Sequence, residues 1–133
     1  MKIHAFRLTR GADLKKEIIR FTSEKGMRAG CVLTCVGQLT RATLRMPGGK
    51  IIRDFEEEFE IVSLVGTVGN KDAHLHMSLS NIKGDCIGGH LKDGCLVGIT
   101  AEVVIAEFED RSFLREFDKG TGYEELAVKD LKK

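Results

Sequence analysis

Apolar and polar residues alternate with a period of two along most of this chain, and one stretch near the start shifts to a period near 3.6. Lys2-Ile-His-Ala-Phe-Arg-Leu8 alternates as a strand does when one face is buried and the other meets water. The period then changes. Asp13 stands where a helix N-cap belongs, and Leu14, Ile18 and Phe21, with Ile19 beside them, form an apolar stripe. Lys15, Lys16, Glu17, Arg20 and Glu24 fall on the opposite side, and Gly26 suits a C-terminal stop. The pattern predicts one helix.

The remainder of the chain reads as strand. Cys31-Val-Leu-Thr-Cys-Val36 is a β-rich run, and Gln38-Leu-Thr-Arg-Ala-Thr-Leu-Arg-Met46 alternates strictly in its middle. Pro47-Gly-Gly49 is a turn. Phe59–Val65 and Ala73–Leu79 are further strands, separated by a loop at Gly69-Asn70. Leu96–Phe108 is long, apolar and rich in valine and isoleucine, a central strand or a bent pair. Phe113–Phe117 is a strand or a short edge element, Tyr123–Val128 a last strand, and the Lys-rich tail is solvated. A single helix covers only one face of such a sheet. The other face must bury against a second sheet or another subunit.

Composition narrows the partners. The 133 residues read as a single domain, 1–133, with 42% hydrophobic and 31% charged positions. A net charge of +1 argues against strong nonspecific attraction to nucleic acid or to an anionic membrane. No apolar run reaches the roughly 20 residues that span a bilayer, and the first residues lack a secretory signal, which predicts a cytoplasmic protein with reduced cysteines. Cys31 and Cys35 are spaced to share a strand face, and Cys86 and Cys95 bracket the Gly88-Gly-His90 segment, read as a turn. None forms Cys-x-x-Cys, and small buried side chains are the plainer reading.

The sharpest chemistry lies in the histidines. Three of the four fall between Ala73 and Leu91: His74, His76 and His90. Residues i and i+2 of a strand point the same way, and a third ring behind a Gly-Gly pair can approach them. Three imidazoles are the protein ligands of a zinc site with one position open, so the set is a candidate centre for zinc or another divalent metal. The competing reading is three hydrogen-bonded histidines at a subunit interface. His4, on the first strand, stands apart.

The order Phe59-Glu-Ile-Val-Ser-Leu-Val-Gly-Thr67, Ala73-His-Leu-His-Met-Ser-Leu-Ser80, Gly88-Gly-His-Leu91, Gly94-Cys95 and Thr100-Ala-Glu-Val-Val-Ile105 resembles the plants and prokaryotes conserved (PPC) domain. Gly37-Gln-Leu39 and Gly122-Tyr-Glu-Glu-Leu-Ala-Val128 extend the likeness over nearly the whole chain. The resemblance implies an α+β fold with a largely antiparallel sheet, one principal helix and a homotrimer. In plants the domain follows an AT-hook that reads A·T-rich DNA, while the domain itself joins subunits and recruits proteins. These residues hold no such hook: the single proline is Pro47 and Arg-Gly-Arg is absent. DNA as a partner therefore follows from resemblance alone.

Catalysis finds less support. Glu60, Glu102 and Asp72 are the candidate proton acceptors, but no spacing places them beside the histidines. Ser78 and Ser80 lack a nucleophile elbow, and the glycines form no phosphate-binding loop. Arg41, Arg45, Lys50 and Arg53 form the main basic group, and Glu56-Glu-Glu58 an acidic run that repels phosphate. The expectation is an oligomerising binding or scaffold module with a histidine-lined site. The alternative is a small metal-dependent enzyme or ligand sensor at the same cluster.

Overall fold

The period-two stretches become strands and the 3.6-period stretch becomes the helix. Chain order is β1 (Lys2–Thr9), α1 (Leu14–Glu24), β2 (Gly30–Arg45), β3 (Ile52–Phe55), β4 (Phe59–Gly69), β5 (Asp72–Asn81), β6 (Cys86–Leu91), β7 (Leu96–Glu107), β8 (Arg111–Asp118) and β9 (Tyr123–Asp130). The computed structural model describes residues 1–132.

The helix is set at both ends. Asp13 keeps an extended backbone and its carboxylate accepts the Lys16 N–H at 3.1 Å, the bond expected of an N-cap. Its other oxygen accepts the Gly94 N–H at 2.8 Å, so the cap also ties the helix to the loop before β7. At the far end the Met27 and Gly26 N–H groups donate to the Thr22 and Ser23 carbonyls, the Schellman pair, with Gly26 at φ 65°. Leu14, Ile18 and Thr22 are buried, and Phe21 stacks on Phe6 with centroids 4.1 Å apart.

Seven strands form one sheet in the order β1-β7-β2-β4-β5-β6, with β3 added on β2, and every pairing is antiparallel. Leu44 and Arg45 of β2 also pair with Leu91 and His90 of β6, so β2, β4, β5 and β6 close into a ring. The helix packs over β4, β5 and β7. Leu14 and Ile18 join Leu75, Leu79, Leu91, Val97 and Ile105 in the core. The α+β, largely antiparallel reading therefore describes this fold. Among the described residues no helix is long and apolar enough to cross a membrane.

Several expectations change in detail. The runs on either side of Gly37 are one strand, β2, because Gly37 continues the ladder, opposite both Ala101 and Ile61. A Cβ at Gly37 would stand 2.1 Å from the Thr100 carbonyl oxygen, so the glycine admits the β7 backbone rather than breaking the strand. Register against β7 shifts between Val32 and Thr34, and Cys31 then opposes Ala106 while Cys35 opposes Val103. Facing residues share a side and β7 alternates, so the two cysteines lie on opposite faces, against the same-face expectation. Leu96–Glu107 is one central strand. Phe113–Phe117 falls within β8, which pairs only with β9 in a separate hairpin. In the tail Lys132 is exposed, and Lys133 lies outside the described residues.

Candidate metal centre

Along β5 the residues Ala73, Leu75, Met77 and Leu79 are buried, which turns His74 and His76 to the outer face. β6 pairs with β5 so that His90 stands directly opposite His76. On its other side, the β2–β6 seam places Arg45 opposite His90. The three rings meet on one face: centroids are 5.1 Å (His74–His76), 5.3 Å (His74–His90) and 5.5 Å (His76–His90) apart. One nitrogen from each lies within 4.8 Å of the others.

The Gly-Gly pair does this differently from the expected turn. Gly88 and Gly89 lie inside the extended strand β6. A Cβ at Gly88 would stand 2.7 Å from the Met77 carbonyl oxygen, and one at Gly89 2.8 Å from that of Arg45. Lacking side chains, they let β6 wedge between β5 and the end of β2, and that close approach carries His90 to its neighbours.

Burial and charge favour the neutral form of His90 and His74. Nδ1 of His90 is buried and has no hydrogen-bond partner. Desolvation first, then the positive charge of Arg45 and the neighbouring rings, push the His90 pKa down from 6.5 to about 4. His74 is also lowered, by burial, Arg115 and His76, with Glu125 opposing. A neutral imidazole with a free lone pair is the form that ligates a metal. Zinc at about 2.0–2.1 Å from each nitrogen sets tetrahedral ligands about 3.3 Å apart. The present nitrogens lie within 4.8 Å of one another, and the orphaned Nδ1 is the kind of group a cation would satisfy. The residues fit a divalent metal.

The other candidates fall elsewhere. His4 is a structural residue, 2.7 Å from the Glu107 carboxylate and edge-on to Phe21. Asp72 is engaged by Arg115 at 3.3 Å. Glu60 and Glu102 line a separate surface hollow with Val36 and Ile99. Ser78 and Ser80 are ladder residues facing Gly88 and Cys86. Arg41 is held by Asp54 and Glu56, which dismantles the basic group as a phosphate patch, and Arg53 lies over the Phe55 ring. All four cysteines are free, and burial raises the Cys35 thiol to about 12 and the Cys95 thiol to about 11, beyond ready thiolate chemistry.

Three neighbours of the cluster were not legible as such. Arg115 and Glu125 come from β8 and β9, far along the chain. That hairpin is fastened by Asn70, whose side-chain amide donates to the Arg28 carbonyl, the Ser112 hydroxyl and the Phe113 carbonyl. Arg45 appeared in the sequence only as one of a basic group. Its place against His90 follows from the ring closure.

Comparison with known proteins gives a consistent picture. Residues 1–109 match the Plants and Prokaryotes Conserved (PCC) domain. The chain is 39% identical over 98% of its length to a bifunctional protein GlmU of Synechococcus, of which it covers 21%. It is 33% identical over 79% of its length to AT-hook motif nuclear-localized protein 13 of Arabidopsis thaliana, covering 26% of that protein. It thus spans between about a fifth and just over a third of the length of the curated relatives it matches. Among solved structures, a hypothetical protein from Salmonella enterica aligns with TM-score 0.94 and 32% identity, over 97% of this chain and 94% of that one. A metal-containing protein from Archaeoglobus fulgidus aligns with TM-score 0.84 and 27% identity, over 96% and 94%.

Proposed function

The chain belongs to the Plants and Prokaryotes Conserved domain family, and from that premise we propose that it is a self-assembling binding module, a homotrimer, whose outer face carries a divalent metal on His74, His76 and His90. The observation that carries the metal reading is the convergence of three imidazoles, each offering one nitrogen within 4.8 Å of the others. The metal-containing relative from Archaeoglobus fulgidus supports it. Zinc or another late first-row cation suits an all-imidazole set. The metal would bind a further ligand at its open position and polarise it. Elemental analysis of gently purified protein is the test. About one metal per chain, lost on His76→Ala, is expected, and metal-free native protein refutes the reading.

Self-association is supported by the sheet face that the helix leaves bare. Leu33 and Val36 of β2, Val62 and Val65 of β4 and Ile99 of β7 are all more than half exposed. Val65 faces His76 across the ladder, so this apolar surface runs up to the histidines. Monomers rarely leave such surface uncovered.

DNA association is the second reading, favoured by the plant relative named for its AT-hook. The chain's charge works against tight binding: net charge is +1 and Glu56-Glu-Glu58 is exposed. Duplex titrated at physiological salt is expected to bind no more tightly than about 10⁻⁴ M, the weak end of nonspecific affinity. Affinity well tighter than about 10⁻⁶ M, beyond the nonspecific range, would restore the DNA role.

A further inference from the structure

Arg45 is unaccounted for by the cluster or by the fold. It stands opposite His90 across the β2–β6 seam, and its charge acts on both His90 and His74. Among the described residues no carboxylate engages it, whereas Arg41 and Arg115 are held by acidic partners. A cavity of about 320 Å³ opens at this point, with Arg45, His76 and His90 on its wall and Met46 and Pro47 beside them. That size lies at the lower end of small-molecule sites.

The geometry points to a small organic carboxylate as the ligand of this cavity, held through Arg45 beside the three-histidine site; the inference rests on the metal reading above. Three neutral imidazoles leave the charge of a bound dication uncompensated, and Arg45 adds another positive charge to the same space. A bound anion offsets part of that charge. The planar guanidinium fork matches a carboxylate in two parallel hydrogen bonds, or shares it with the metal, one oxygen to each. Met46 and Pro47 supply an apolar wall, which suits the hydrocarbon part of an organic acid and offers nothing to an inorganic oxyanion.

The test is calorimetric titration of zinc-loaded protein with lactate and with lactamide, its uncharged counterpart, with zinc content measured alongside. Lactate is expected to bind at least about tenfold more tightly, the worth of one hydrogen bond to a charged group. Arg45→Met should remove the share of that preference that Arg45 supplies, weakening lactate binding at least about tenfold while zinc is retained. Arg45→Lys, which keeps the charge but loses the fork, should keep part of it and serves where the Met variant does not fold. Equal lactate affinity in native and Arg45→Met proteins, both holding zinc, overturns the carboxylate assignment and leaves the metal reading standing. Inorganic phosphate binding more tightly than lactate through Arg45 overturns the choice of an organic acid. Native protein that takes up no zinc overturns the metal reading itself.

Discussion

Nδ1 of His90 has lost its water and found no partner, a cost of about 1–3 kcal/mol for an unsatisfied buried polar group. A protonated ring there would cost more, and this gives a pH signature in the metal-free protein. In the unfolded chain His90 takes its proton near the ordinary 6.5, in the fold only near about 4. Between those values the unfolded state binds more protons, so this contribution to stability is complete above 6.5 and drains away as pH falls towards 4. Thermal unfolding of metal-free protein should show a falling melting temperature over that window, with a smaller fall in His90→Asn. A flat profile in the native protein would contradict the assignment. The residue scale was partly legible in the sequence. Period two sufficed to put His74 and His76 together. His90 was found by its glycines for a different reason from the one that operates, since they thin a strand rather than bend a turn.

At the scale of elements, the alternation located the helix and most strands but not β3 or β6, and it also missed changes of register. A bulge is one extra residue, and it reverses the side on which every later residue falls. No residue pattern around Val32–Thr34 announces one, and the shift separates Cys31 from Cys35. Close backbone approach was equally invisible, because a glycine in a strand looks like a break until its neighbour is known. Gly37→Ala forces a methyl against the Thr100 carbonyl and should destabilise the protein by about 2 kcal/mol or more, read as a lower urea midpoint. The helix cap makes a gentler test. Asp13→Ala removes bonds to Lys16 and to Gly94 and should cost about 1–2 kcal/mol with the fold retained. A neutral outcome would mean that the cap does not anchor the loop before β7.

For the whole molecule, the sequence carried one firm physical point: a single helix cannot cover two faces. Which residues line the bare face required the ladder, because β2 and β4 change register and so mix apolar and polar positions on that side. Placing a charge in its midst is the direct probe. Val65→Asp should lower the light-scattering mass from three times the 14.7 kDa chain mass towards that of one chain, and His76, opposite Val65, should then hold its metal less well. A native protein that already scatters as a single chain would remove the trimer.

The family match ends at residue 109, and the hairpin of β8 and β9 begins at Arg111. Two paired strands alone are barely stable in water, and this pair is moored through β8, by Asn70 to Ser112 and Phe113 and by Arg115 to Asp72 and Thr67. Yet it brings Arg115 and Glu125, whose opposite charges both act on His74, and it sets the Tyr123 hydroxyl beside Gly49 in the turn after β2. The appendage is thus a tuning collar around a fixed socket. Exchanging its side chains should alter the potential at His74 while the ring of strands beneath keeps its register, so chemical preference and architecture can change separately.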